Sequence, residues 1–229
     1  MDEGKGEVGM SSIFPIDDGF VRLVDTMGDD MAVVRAARVS YGNESKGEEA
    51  DLKLIHYLME HNHGTPFEHI IFTFHIKCPI FVARQWFRHR IGSFNEISGR
   101  YTELDTGFFV PKLFRQNKTS NHQASIKGDF SDEEIDSMMR EWNYALEIAE
   151  STYESLLEKG VAREQARAIL PMGTYTEFYW TVNLRSLFNF IRLRTAEDAQ
   201  AEMKEYADII HLISKEQAEW CFEAFERQP

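Results

Sequence analysis

Between residues 69 and 77 the chain alternates strictly. Ile70, Phe72, Phe74 and Ile76 fall on one face, and Thr73, His75 and Lys77 on the other. That period of two is the signature of a half-buried strand. It constrains the fold tightly, because a register slip of one residue would turn four large apolar side chains out to water. Residues 174–182 are aromatic and β-branched and read as a further strand, as does the run Phe20-Val21-Arg22-Leu23-Val24.

The rest of the chain carries helical spacing. Residues 29–39 read as a short helix capped by Asp29 or Asp30, and Leu52, Ile55, Leu58 and Met59 define another over 51–61. Pro79 suits the first turn of a helix running to about His89, with Arg84, Gln85 and Arg88 on its polar side. Ser131-Asp132-Glu133-Glu134 is a capping box, opening a long helix with a stripe of Ile135, Met138, Met139, Trp142, Ala145, Ala149 and Leu156 that ends at Gly160. Shorter helices are expected over 163–170 and 183–194, and one more over 197–226. Residues 92–99 and 116–129 are polar and read as loops, the second a mobile one. Strands mixed with long helices make the expected class α+β, with an antiparallel or mixed sheet against long packed helices. Residues 13–229 are expected to form a single domain, behind a polar, Gly-rich disordered tail over 1–12.

A formal net charge of -13 argues against a protein that coats a nucleic acid polymer. Yet Arg84, Arg88, His89, Arg90 and Arg100 crowd one short stretch with a single acid, Glu96, and Arg185, Arg192 and Arg194 form a second concentration. An acidic chain that gathers arginines locally is building an anion pocket. Two widely separated cysteines, Cys78 and Cys221, fit a reducing compartment, and no apolar run has spanning length, so a cytoplasmic protein without membrane contact is expected.

The densest chemistry lies in Arg88-His89-Arg90-Ile91-Gly92-Ser93-Phe94-Asn95-Glu96-Ile97-Ser98-Gly99-Arg100-Tyr101. Guanidinium forks match phosphate oxygens, glycines let backbone N–H groups approach an anion, and the short polar side chains add neutral hydrogen bonds. Glu96, a carboxylate among cations, can accept from a ribose hydroxyl or orient an arginine. These parts suit one or two bound nucleotides.

The pattern Arg-His-Arg, two residues, Ser, one residue, Asn-Glu, one residue, Ser, one residue, Arg-Tyr resembles the signature of the flavin-dependent thymidylate synthases at every specified position. The resemblance runs from about Gly19 to Phe225, through His63-Gly64-Thr65-Pro66-Phe67-Glu68-His69 and Thr181-Val182-Asn183-Leu184-Arg185-Ser186-Leu187. It leaves out the N-terminal tail and residues 116–129, and Gly173 stands where other members carry Asn.

The resemblance implies reductive methylation of dUMP to dTMP, with 5,10-methylenetetrahydrofolate as carbon donor and NADPH-reduced FAD as hydride source. By the same resemblance Gln85, Arg88, Glu96, Ser98, Gly99, Arg100 and Arg167 match dUMP positions. Arg194 matches the arginine set against the uracil ring, as the catalytic group. Ser40, Thr65, His89, Arg90, Asn183, Arg185 and Asn189 match FAD positions, with Arg88 and Glu96 bordering both ligands and His63 beside flavin and folate. The family also implies an α+β subunit in a homotetramer with shared active sites. A metal hydrolase is the competing reading of His61, His63, His69 and His75, but their spacing fits no zinc pattern. An RNA-binding module is another, on Trp86, Phe87, Phe94 and Tyr101 as stacking platforms, and the acidity of the chain opposes it.

Overall fold

The computed structural model describes residues 13–42, 44–102, 107–118 and 121–228. The expected tail over 1–12 lies outside them. At the centre is a five-stranded sheet of β1 (Ile13–Ile16), β2 (Gly19–Met27), β3 (Ile71–Pro79), β4 (Ser93–Glu96) and β7 (Tyr175–Asn183), in the order β1-β2-β3-β7-β4. Every neighbouring pair is antiparallel.

The alternation in β3 sets the layering. Phe72, Phe74 and Ile76 pair with Val182, Trp180 and Phe178 of β7, and all six are buried. The opposite face is polar and its side chains bond one another, although Arg22 Nε is left without a hydrogen-bond partner among the described residues. Thr73 and Thr181 share a hydrogen bond of 3.0 Å, and the His75 ring stacks on Tyr179 at 4.7 Å. Nδ1 of His75 lies 2.9 Å from an Arg22 nitrogen and Nε2 lies 3.0 Å from Glu177. Since Arg22 can only donate, Nδ1 accepts and Nε2 carries the proton to Glu177. His75 is thereby a sheet-face residue with both nitrogens engaged.

Against the apolar face lie α3 (Ile80–Trp86), α6 (Leu184–Arg194) and α7 (Ala201–Lys215). Trp86 is the junction, with its ring edge-on to Phe178, Trp180 and Tyr206 and tilted against Phe190. Helices α1 (Asp30–Ala37), α2 (Glu48–Glu60) and α8 (Glu219–Glu226) extend the same core. The two aspartates at residues 29 and 30 divide the capping work. Asp29 accepts from Ala32 N of its own helix, whereas Asp30 reaches across to accept from Trp220 N and Cys221 N at the start of α8. Arg38 and Asp51, 9% and 1% exposed, form a buried ion pair at 2.5 Å. It ties the end of α1 to the first turns of α2.

Several expected elements differ. Pro79 closes β3 and precedes α3, which ends at Trp86 rather than near His89. The expected helix over 197–226 is broken into α7 and α8 by a turn at 216–218, where apolar residues on both sides turn into one core. Residues 92–99 are half strand, β4. Residues 116–129 fall largely in the hairpin β5 (Arg115–Lys118) and β6 (Asn121–Lys127), although 119 and 120 lie outside the described residues. Hydrogen-bond pairing across a polar hairpin leaves no hydrophobic alternation for the sequence to display.

Helix α4 (Asp132–Glu158) carries the capping box in full: Ser131 Oγ accepts from Glu134 N at 3.3 Å and Glu134 accepts from Ser131 N at 2.8 Å. Gly160 beyond it takes φ +80°, a left-handed value natural to glycine at a helix end. Of the residues of α4 only Tyr153 is buried, and Tyr144 and Ile148 are exposed.

Candidate functional site

The Arg88–Arg90 segment leaves α3 and must reach the sheet edge within a few residues. Gly92 permits it: a Cβ there would meet Thr181 O and Trp180 Nε1 at 2.9 Å each. The chain then drops into β4, stacking Phe94 over Trp180 with rings 6.0 Å apart.

A second wall comes from α6. Asn183 is its N-cap, accepting from Ser186 N at 2.9 Å, so the positive end of the helix dipole opens beside it. The α6 spacing sends Leu187, Phe190 and Ile191 into the core, leaving Arg185 and Asn189, one turn apart, on the outer side. A third wall is a 3₁₀ turn at Thr65–His69. Gly64 before it lies close under Arg185, whose Nε and Cζ a Cβ there would meet at 2.5 and 2.8 Å, so a larger residue would displace that side chain. Glu68 of the turn bonds Arg185 at 2.6 Å.

These walls enclose a cleft of about 850 Å³ lined by Arg88, His89, Arg90, Asn183, Arg185, Asn189 and Arg194, with Glu68 the one acid among its lining residues. Arg185 and Asn189 also border an adjoining pocket of about 210 Å³ that holds His63 and Gly64. The seven cleft residues and His63, drawn from segments up to 131 residues apart (194 minus 63), were all expected from the sequence. Glu68, Ile91, Ser186 and Leu193 line the cleft without having been expected as site residues. Glu68 had a legible signal, as the lone acid in the His63–His69 block.

Arg194 is fixed at all three guanidinium nitrogens. Nε donates to His89 Nε2 at 2.9 Å, one terminal nitrogen to the Gln85 carbonyl at 3.0 Å, and the other to Gln85 Oε1 at 3.4 Å. Burial, followed by the Arg194 charge, pulls the His89 pKa down to about 4, so the ring is neutral near pH 7. Burial and the neighbouring Arg88 lower the Arg194 pKa as well. It stays a cation all the same.

The remaining expected residues sit elsewhere in the subunit. Ser40 is exposed in a 3₁₀ turn after α1, and Thr65 is exposed at the head of its turn. Glu96 accepts from Thr176 at 2.8 Å, and Ser98 Oγ accepts from Arg100 N at 3.4 Å beside the buried Gly99. Arg100 pairs with Glu164 at 3.3 Å, one turn before Arg167. None of these seven lines the cleft.

A separate cavity of about 650 Å³ has aromatic walls that include Phe81, Phe109 and Trp142, and a polar end of Arg115, Gln200 and Glu202. Gly173 borders it, and a Cβ there would only touch Phe109 at 3.7 Å, so space does not demand the glycine.

The donor set of the main cleft suits a phosphorylated ligand: four guanidiniums, two amides and a helix N-terminus. The glycine at residue 64 lets the Arg185 guanidinium come close to the backbone. An antiparallel sheet walled by helices, with arginines from separate elements turned into one cleft, defines an α+β protein built to receive such an anion.

The family follows from comparison. The chain belongs to the family described as thymidylate synthase complementing protein, whose model matches residues 22–219. It is 57% identical over 217 residues to the flavin-dependent thymidylate synthase of Thermosipho africanus, covering 92% of each chain. It is 53% identical over 211 residues to that of Thermus thermophilus, covering 92% of this chain and 77% of the relative. A crystal structure of the UMP/dUMP methylase PolB from Streptomyces cacaoi bound with 5-Br dUMP matches with a TM-score of 0.83 at 37% identity, covering 91% of this chain and 95% of that one.

Proposed function

We propose that this protein is a flavin-dependent thymidylate synthase. It converts dUMP to dTMP, taking the carbon from 5,10-methylenetetrahydrofolate and using FAD reduced by NADPH. The observation that carries this reading is the Arg194 guanidinium, aimed and immobilised at the cleft by His89 and Gln85.

Methylation at C5 of uracil needs a pyrimidine made more electron-rich. A thiolate adding to the ring is one way to achieve it, but Cys78 and Cys221 are fully buried in β3 and α8, and burial pushes both thiols up well above their usual pKa. The thiolate is the nucleophilic form, so neither cysteine is suited to attack. Arg194 supplies electrostatics instead. A fixed guanidinium at the pyrimidine edge stabilises negative charge as it develops on the ring, without reorganising during the reaction. When bound, the flavin would supply the hydride, which no side chain can. Arg90, Arg185, Asn183 and Asn189 would hold its phosphates and polar edges, and His63 borders the space for flavin and folate.

The dUMP molecule would be held by Gln85, Arg88, Glu96, Ser98, Gly99, Arg100 and Arg167, with Ser98 and Arg100 meeting the phosphate and Glu96 accepting from a ribose hydroxyl or orienting an arginine. Because Ser98, Arg100 and Arg167 lie away from their own cleft, they would serve the cleft of a second copy, in a homotetramer with shared sites. The exposed Tyr144 and Ile148 on α4 supply apolar surface for such contacts. Among the described residues no helix is long and apolar enough to cross a membrane.

The test is spectroscopic. The purified protein should be yellow, or become so on adding FAD, and should bleach with NADPH in the absence of oxygen. A colourless protein that takes up no FAD overturns the reading.

A further inference from the structure

Gln200 occupies the N-cap of α7, where a short capping side chain would be favoured, yet its side chain makes no capping bond. It points at the active-site wall instead. Gln85 Nε2 donates to Gln200 Oε1, and Gln200 Nε2 donates to Glu202 Oε2 at 2.9 Å. The other Glu202 oxygen accepts from Arg115 on β5 at 2.5 Å. With the bond from Arg194 to Gln85 Oε1, a continuous line of side chains runs Arg194, Gln85, Gln200, Glu202, Arg115.

The chemistry of its ends gives this line a direction. A guanidinium has only donors and an ionised carboxylate only acceptors. Glu202, held by Arg115 and 14% exposed, therefore takes the NH₂ of Gln200. That turns the Gln200 oxygen toward Gln85, whose NH₂ must face it. Gln85 is left presenting its oxygen to Arg194. Two amides that could each flip are locked by a carboxylate two residues beyond the N-cap of a different helix.

We propose that Gln200 and Glu202 are positioning residues for the reaction. They set the amide polarity of Gln85 and through it the aim of Arg194, with Arg115 of the β5–β6 hairpin anchoring the far end. The inference rests on the role proposed for Arg194.

The polarity makes a prediction that shape alone would not. In E202Q the new amide must still offer its oxygen to Arg115, so it turns its NH₂ toward Gln200. Gln200 then reverses, Gln85 reverses, and a donor faces the Arg194 donor. In Q200E two carboxylates confront each other. In the swapped pair Q200E/E202Q both neighbouring amides donate to the carboxylate at 200, Arg115 keeps an acceptor, and Gln85 again offers its oxygen to Arg194, at unchanged net charge.

The experiment measures dTMP formation, flavin content and Tm of the full-length FAD-loaded protein and these three variants. It adds crystal structures of the wild type and E202Q. Expected is a fall in kcat of about tenfold or more for E202Q, in keeping with the sensitivity of catalysis to small misplacements, with flavin content retained. The swapped pair should return most of that loss, and Arg194 in E202Q should have left Gln85 Oε1. Wild-type turnover in E202Q, or a swapped pair no better than E202Q, overturns the relay. So does an E202Q structure with Arg194 still bonded to Gln85 Oε1, whatever the turnover. A wild-type protein that makes no dTMP fails the functional reading instead, and the crystal structures then decide the relay by themselves.

Discussion

Arg194 Nε donates to Nε2 of His89 at 2.9 Å, so that nitrogen of the imidazole cannot carry a proton while the contact stands. The pairing fixes both partners: Arg194 gains a rigid aim into the cleft, and His89 is held neutral with its proton on Nδ1. The edge of the His89 ring packs against Phe190, with centroids 5.0 Å apart, so α6 holds the ring from one side while receiving its contact at Arg194.

A pH dependence of stability follows from this pair. The His89 pKa is lowered from 6.5 to about 4, by burial first and by the Arg194 charge second. As pH falls from about 6.5 toward 4, the unfolded chain takes up a proton that the folded chain refuses, and stability is lost through that window. Above it this group changes nothing. His89→Gln keeps an acceptor for Arg194 but cannot titrate. Thermal melts of the two proteins from pH 7 to 4 should therefore diverge, with the wild type losing more. Parallel curves would show that His89 is not held neutral.

The buried Arg38–Asp51 pair underlies the turn that carries Ser40. Asp51→Ala leaves the Arg38 charge buried without its carboxylate, although the Glu44 and Ala50 carbonyls still accept from it. Removing one partner of a buried pair costs about 3–5 kcal/mol. For a chain of this size that corresponds to a fall in Tm of roughly ten degrees. Differential scanning calorimetry checks it, and a shift under about two degrees would mean that the pair contributes little.

Arg100 is half exposed and pairs with Glu164, a contact of the kind that contributes little to stability. Arg100→Ala should leave Tm unchanged. If Arg100 meets the dUMP phosphate in a neighbouring subunit, losing one charge-assisted contact of about 1.5–3 kcal/mol raises KM for dUMP by roughly ten- to a hundredfold. Steady-state kinetics in dUMP distinguishes this from an unchanged KM, which would remove Arg100 from the phosphate site.

Much of this architecture was legible in the residues because single elements carry their own periodicity. The β3 alternation located the central strand and its buried face, and the Ser131–Glu134 capping box located the start of α4 to the residue. The cleft was legible for a different reason: Arg88, His89 and Arg90 lie in a dense local pattern, and Arg185 and Asn189 fall one turn apart on the outer side of a helix that begins after Asn183 and ends at Arg194. What stayed hidden was relational. Nothing local shows that Asp30 caps α8, that polar residues 93–96 pair with β7, or that Gln200 reaches Gln85. Each depends on segments more than 80 residues apart being brought together by a core that neither segment encodes alone. The placement of Arg100 and Arg167 outside the cleft is of the same kind, since no local pattern shows it.

The most direct measurement is dTMP formation by the wild type and by Arg194→Ala, each saturated with dUMP, methylenetetrahydrofolate, NADPH and FAD. If a fixed guanidinium activates the pyrimidine, the wild type makes dTMP and the variant loses about 2.7–4 kcal/mol of barrier lowering, or roughly two to three orders of magnitude in kcat, with its flavin still bound. Turnover by Arg194→Ala at the wild-type rate would contradict the account.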